Sequence, residues 1–292
     1  MLLEPFEFGF FVRAMIAACL IGGLCGLMGV YIVLRGMSYI GHGLSHAIFG
    51  GAVVSWIMSI NFFVGATVWG FLSAILVAWT TRRNPIGSDA AIGIITTASF
   101  ALGIAIISRF GSFTRDFEAS LWGSVLAVDR EDLIAIAVVT AIVALVFFVG
   151  YKLFLFATFD SDVAQFYGVP TGWVDTLFAL LLAGTIVVSM QVLGVTMIAA
   201  AVVIPPIVAR LLTNSFRTMT LLSIGIGIMC SVLGIYISYF IDVSSGASVV
   251  LLSAALFVAV LAWSKIRDRI RRAPAASSGL SQLPRSAGGS LE

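Results

Sequence analysis

Two histidines stand four residues apart in the stretch RGMSYIGHGLSHAIFGG, residues 35–51. His42 and His46 are the only imidazoles in the chain. On a helix this spacing puts both side chains on one face, with their Cβ atoms about 6 Å apart. Two neutral imidazoles so placed can clasp one divalent cation. A transition ion takes four or more donors, so water, another helix or a second subunit must complete the shell. The competing reading is a pair of packing histidines, each hydrogen-bonded to a backbone carbonyl. Glycines crowd the pair: Gly36, Gly41, Gly43, Gly50 and Gly51. They suit an interrupted segment beside a permeation path and equally suit close helix–helix packing.

The segments that must hold this pair are those of a membrane protein. Of 292 residues, 60% are apolar and 10% charged, with a mean hydropathy of +1.12. A soluble domain carries roughly a quarter charged residues. Apolar runs at 12–34, 40–60, 62–81, 90–108, 132–151, 172–190, 192–212, 218–241 and 247–264 approach or exceed the ~20 residues that cross a bilayer as helix. The fold expected is an all-α polytopic membrane protein with eight or nine transmembrane helices. The alternating ten-residue segments of a β-barrel are absent. Residues 1–265 read as one transmembrane domain, and 266–292 as a basic and then disordered cytoplasmic tail rich in Ala, Ser, Gly and Pro.

Charge sets an orientation. With the C-terminus in the cytoplasm, the inner connectors carry Arg35, Arg82, Arg83, Lys152, Arg210, Arg217, Lys265, Arg267, Arg269, Arg271, Arg272 and Arg285. The outer ones carry Arg13, Arg109, Arg115 and Arg130. That bias predicts nine spans with the N-terminus outside. The longest outer connector, 108–133, holds the interfacial aromatics Phe113, Phe117 and Trp122. Its acids Asp116, Glu118, Asp129, Glu131 and Asp132 are candidates for contact with an external partner. The start, MLLEPFEFGF, lacks the basic region of a signal peptide. Cys19, Cys25 and Cys230 lie in apolar runs and read as packing residues.

Several chemistries are excluded. The two lysines, Lys152 and Lys265, follow no glycine-rich loop, so the chain has no phosphate-binding P-loop. It has no nucleophile elbow and no H-E-x-x-H motif. The spans hold almost no acids, which argues against a carboxylate proton relay. The chain by itself is therefore no P-loop ATPase; a transport subunit and not an enzyme is expected, and any ATP must be hydrolysed by a separate subunit. Between 132–151 and 172–190, Asp160 can cap a short helix that Gly168-Val169-Pro170 ends. Gln191 and Gly194 fall where one span turns into the next, and Pro205-Pro206 interrupt the following helix. Those four residues are the expected gate and kink. Met190 and Met197 read as packing.

At this point a resemblance enters. GLMGVYIVLRGMSYIGHGLSHAIFGG (26–51) is similar to the signature of the permease subunits of ABC importers for manganese, zinc and iron. LWGSVLAVDREDL (121–133), FDSDVAQFYGVP (159–170), QVLGVTMIAAAVVIPPIVARLLT (191–213) and GIYISYFIDVSSGASVVLL (234–252) resemble its further blocks, in the same order. The likeness covers about residues 10–265. It implies the type II ABC importer architecture, related to the vitamin B12 and siderophore permeases, in a bacterial plasma membrane. It further implies a homodimer, an ABC ATPase subunit that binds ATP, and an extracellular solute-binding protein, with no nucleic-acid partner and no cofactor of the chain's own. Asp160, Asp162, Ala164 and Gly168 match the segment that docks on the ATPase. The family's metal pair is usually Asp and His, four apart. Here His42 occupies the Asp position and His46 the His position. An Asp/His pair suits manganese, whereas two nitrogens lean toward later metals such as zinc. The alternatives are a vitamin or siderophore permease of the same fold, and a haem-binding electron-transfer subunit.

Overall fold

The computed structural model describes residues 4–83, 88–110, 121–124 and 128–272. A short 3-10 turn at Glu4–Glu7 leads into α1 (Gly9–Leu34), α2 (Ile40–Ile57), α3 (Phe62–Arg83) and α4 (Ser88–Phe110). There follow α5 (Arg130–Val149), α6 (Tyr151–Phe159), α7 (Ser161–Phe166), α8 (Thr171–Leu193), α9 (Ile198–Leu212), α10 (Phe216–Ile241) and α11 (Ser245–Arg272). The described residues contain no strand. The proposed tail 273–292 and most of the outer connector, 111–120 and 125–127, lie outside them.

Among the described residues, eight helices are long and apolar enough to cross a membrane: α1 to α5, α8, α10 and α11. The ninth apolar run differs. α8 continues to Leu193, and Gly194 turns the chain with φ of 77°. That leaves α9 only 15 residues, about 22 Å at 1.5 Å per residue. Hydropathy runs nearly unbroken through the turn because Gly194 and Val195 are buried and Thr196 and Met197 half-buried.

α1, α2 and α8 are mostly buried, while α3, α4, α5, α10 and α11 face outward over most of their length. The central helices are apolar on all sides, as helices surrounded by protein must be. Lipid offers no hydrophobic drive for helices to associate, so small residues that let backbones approach decide the packing. α1 and α10 pack antiparallel through Gly22 and Gly26 against Gly227 and Ser223. A Cβ on Gly26 would stand 2.5 Å from the Ser223 carbonyl oxygen, and the Ser223 hydroxyl donates to the Gly26 carbonyl at 2.7 Å. Gly26→Val is therefore expected to destabilise the permease by about 1–3 kcal/mol. A fall in the thermal unfolding midpoint in detergent checks this.

The glycines around the histidines serve the same end. A Cβ on Gly43 would meet Ile92 and Thr96 of α4 at 2.7 and 2.9 Å, and one on Gly50 would strike the Ser99 carbonyl. Gly51 faces Trp69 of α3. Gly43 meets Thr96 and Gly50 meets Gly103, so α2 and α4 run parallel. Gly36 alone of this group needs its backbone freedom, with φ of 68° in the turn from α1 to α2.

Candidate metal centre

His42 is the third residue of α2 and His46 lies one turn on. Their rings meet edge to face with centroids 4.5 Å apart and planes at 81°. The pair borders a cavity of about 200 Å³ shared with Tyr39, Gly43, Thr96, Thr97 and Phe100. Phe100 packs on the His46 ring at 4.8 Å. Phe100 is also near the middle of α4, which runs from Ser88 to Phe110, so His46 sits at mid-depth by that ruler.

The donors fall into two groups. The Nδ1 atom of His46 is buried and has no hydrogen-bond partner, which a packing histidine would not leave so. The Thr96 hydroxyl already donates to the Ile92 carbonyl at 2.6 Å. Tyr39 and Thr97 are the remaining oxygen donors on the cavity wall. Among the described residues no cluster of three or more His, Cys, Asp or Glu is placed to hold an ion. Donors beyond the two imidazoles must therefore be hydroxyls, water or a second copy. Two rings 4.5 Å apart also leave no space for a porphyrin between them. A cavity this small lies below the ~300 Å³ at which sites for organic ligands usually begin.

The other predicted residues lie away from the pair, at opposite ends of α8. At its start, Asp160 caps α7 by accepting from the Val163 N–H at 2.9 Å. Gly168, with φ of 82°, ends the helix, and the Val169 N–H returns to the Ala164 carbonyl at 3.0 Å. Ala164 is fully buried and Asp162 exposed. Thus Asp160, Ala164 and Gly168 shape the element, and its free surface is different: Phe166 is 87% and Tyr167 73% exposed. Sequence reasoning missed these two aromatics. Their signal was their place at the end of a capped, charged-side helix, where apolar bulk has no core to fill.

At the far end of α8, the Gln191 amide nitrogen donates to both carboxylate oxygens of Asp132 at 2.8 and 3.0 Å. Asp132 also closes a reciprocal cap with Asp129 at the start of α5. It is buried, whereas Asp129 and Glu131 beside it are exposed. Asp132→Ala is expected to lower stability by about 1–2 kcal/mol, read as a shift in denaturation midpoint. The Gln191 carbonyl accepts from the Ser124 N–H at 3.0 Å. Thr196 donates its hydroxyl to the Leu121 carbonyl at 3.0 Å, and Ser244 donates to Trp122 at 2.7 Å. A Cβ on Gly194 would stand 2.5 Å from the Gly123 nitrogen. Residues 121–124 thus form a seam across the ends of α8, α9 and α11. Pro205 and Pro206 sit farther along, inside a helix that continues through them. A Cβ on Gly29 of α1 would collide with the Val202 carbonyl oxygen, which Pro206 deprives of its helical donor.

Comparisons with known proteins agree with this architecture. The profile described as the ABC 3 transport family matches residues 7–264. The chain is 36% identical over 251 residues to the manganese transport system membrane protein MntC of Halalkalibacterium halodurans, covering 86% of each. It is 35% identical over 268 residues to a probable iron transport system membrane protein of Haemophilus influenzae, covering 92% of this chain and 98% of that one. A solved chain from PsaBC of Streptococcus pneumoniae in complex with Fab superposes with a TM-score of 0.80 at 35% identity, over 89% of this chain and 95% of that one. A second solved chain, from an inward-facing ABC transporter, shares the fold with a TM-score of 0.66 at 16% identity, over 86% and 85% of the two chains. The chain belongs to the ABC 3 transport family, as a multi-pass membrane permease with the type II ABC importer architecture.

Proposed function

We propose that this permease imports a divalent transition metal ion, manganese, iron or zinc, with His42 and His46 holding the ion in the translocation path. ATP bound and hydrolysed by a separate ABC ATPase drives the cycle. An extracellular solute-binding protein delivers the ion, and two copies of the chain pair around the path. The C-terminus lies in the cytoplasm, α7 docks on the ATPase, and the seam around Gln191 and Gly194 closes the outer side. Pro205 and Pro206 set the course of α9 against α1. The observation that carries the reading is the buried, unpartnered Nδ1 of His46, on a ring that meets the His42 imidazole edge to face at mid-depth. The manganese and iron systems named for the relatives support the class of cargo.

The pair can act without being hard to empty. Two nitrogens give a short-lived hold on an ion that still carries water, and a site in a path must release what it binds. The test is uptake of manganese, iron(II) and zinc into vesicles holding the permease with its ATPase and binding protein. ATP-dependent accumulation of at least one ion is expected. Uptake of none of the three, with the complex assembled, would overturn the reading.

A further inference from the structure

Arg35 follows α1 by one residue, and its side chain is only 7% exposed. Its Nη1 meets Asp175 Oδ1 of α8 at 2.7 Å, and its Nε donates to the Thr158 hydroxyl of α6 at 3.1 Å. The guanidinium lies 4.7 Å from the centre of the Phe178 ring. Two elements distant in sequence, α6 and α8, therefore converge on this side chain at the end of α1. Two residues after Thr158, Asp160 caps α7. On the other side, the Met37 N–H returns to the Ile32 carbonyl at 3.0 Å. With Gly36 at positive φ, this locks a tight turn from Arg35 into the helix of His42.

Around this node lies a cavity of about 360 Å³. Met37 and Ile40 line one wall, Thr158 and Ser161 another, with Arg35 and Asp175 also on its border. α6 packs on α5, α8 and α1, and α7 on α8. The histidine helix is thus separated from the docking elbow by free space, and Arg35 bridges the two sides. A planar fork that holds two partners at once suits this task, because it fixes direction as well as distance.

We propose that Arg35 is a positioning residue that ties the α6–α7 elbow to the turn entering α2, so that movement imposed on α7 reaches His42 and His46. This rests on the reading of α7 as the ATPase-docking helix. Arg35 touches no metal in this scheme. Loss of its contacts leaves both the metal pair and the docking surface intact and breaks the link between them.

The test uses the complete complex in vesicles with manganese as the probe, comparing wild type with Arg35→Gln, Arg35→Lys, Asp175→Asn and Thr158→Val. Four quantities are read: manganese bound, ATPase bound, ATP hydrolysed, and manganese moved per ATP. Arg35→Gln is expected to bind both partners as wild type does and to move about 10-fold less manganese per ATP. Thr158→Val and Asp175→Asn fall between, and Arg35→Lys, which keeps a cation facing Asp175, recovers part of the loss. These milder variants decide the matter where Arg35→Gln does not fold. Unchanged manganese per ATP across the variants overturns the proposal. So does a loss that comes together with lost manganese or ATPase binding, which marks a merely structural role. A wild-type complex that hydrolyses ATP but moves no manganese overturns both this proposal and the reading it rests on.

Discussion

His46→Ala is expected to lower metal uptake about 100-fold or more, with the unfolding midpoint of the purified permease held near wild type. Even outer-shell partners of a metal site change affinity or activity by about 10- to 100-fold, and His46 is proposed as a direct ligand. The change should spare folding because the His46 Nδ1 makes no hydrogen bond that the mutation would break. The ring is also only partly buried, against Phe100. Uptake within a few-fold of wild type would show that the pair lies off the path. His42→Asp sharpens the test. It trades one nitrogen for a hard oxygen, so uptake persists and the ratio of manganese to zinc transport rises. An unchanged ratio would show that donors outside the pair choose the metal.

The second large effect concerns α7. Replacing Phe166 and Tyr167 together with alanine is expected to weaken binding of the ATPase by about 2–4 kcal/mol, roughly 30- to 1,000-fold. Large aromatics anchor interfaces when a partner desolvates them, and these two are exposed on the permease by itself. They support no bundle core, so the isolated variant should fold and unfold as wild type does. Asp162→Asn, on the same helix, should change the affinity little, since rim charges chiefly affect association rates. Titration of the ATPase against detergent-solubilised permease gives the number. Wild-type affinity in the double variant would place the dock elsewhere on the inner face.

The sequence was most informative where function depends on spacing along one helix. The interval from His42 to His46 placed both rings on one face, and the structure brings them edge to face. Asp160 and Gly168 were legible as the ends of a short helix because caps are local chemistry. Ala164 was read as a member of the docking segment by resemblance, and the structure buries it completely. Exposure depends on what lies beneath the helix, which a one-dimensional pattern does not contain. The shortness of α9 escaped for a related reason, since a turn packed inside protein stays apolar. Arg35 shows the largest gap. Its partners Thr158 and Asp175 lie 123 and 140 residues away, and among the inner arginines the sequence marked it only as a charge.

The seam of residues 121–124 has a consequence for the idle permease. It is stitched by hydrogen bonds to backbone carbonyls, from Ser124 to Gln191, Thr196 to Leu121 and Ser244 to Trp122, with the Gln191–Asp132 bond beside them. Each such bond is worth about 1 kcal/mol net, because a parted group finds water instead. Parting all four would cost about 4 kcal/mol and occur spontaneously in roughly one molecule in a thousand. In the role proposed for this seam as the outer closure, that barrier is low enough for a docked protein to tip, so the same few bonds would set both the resting barrier and the energy needed to lift it.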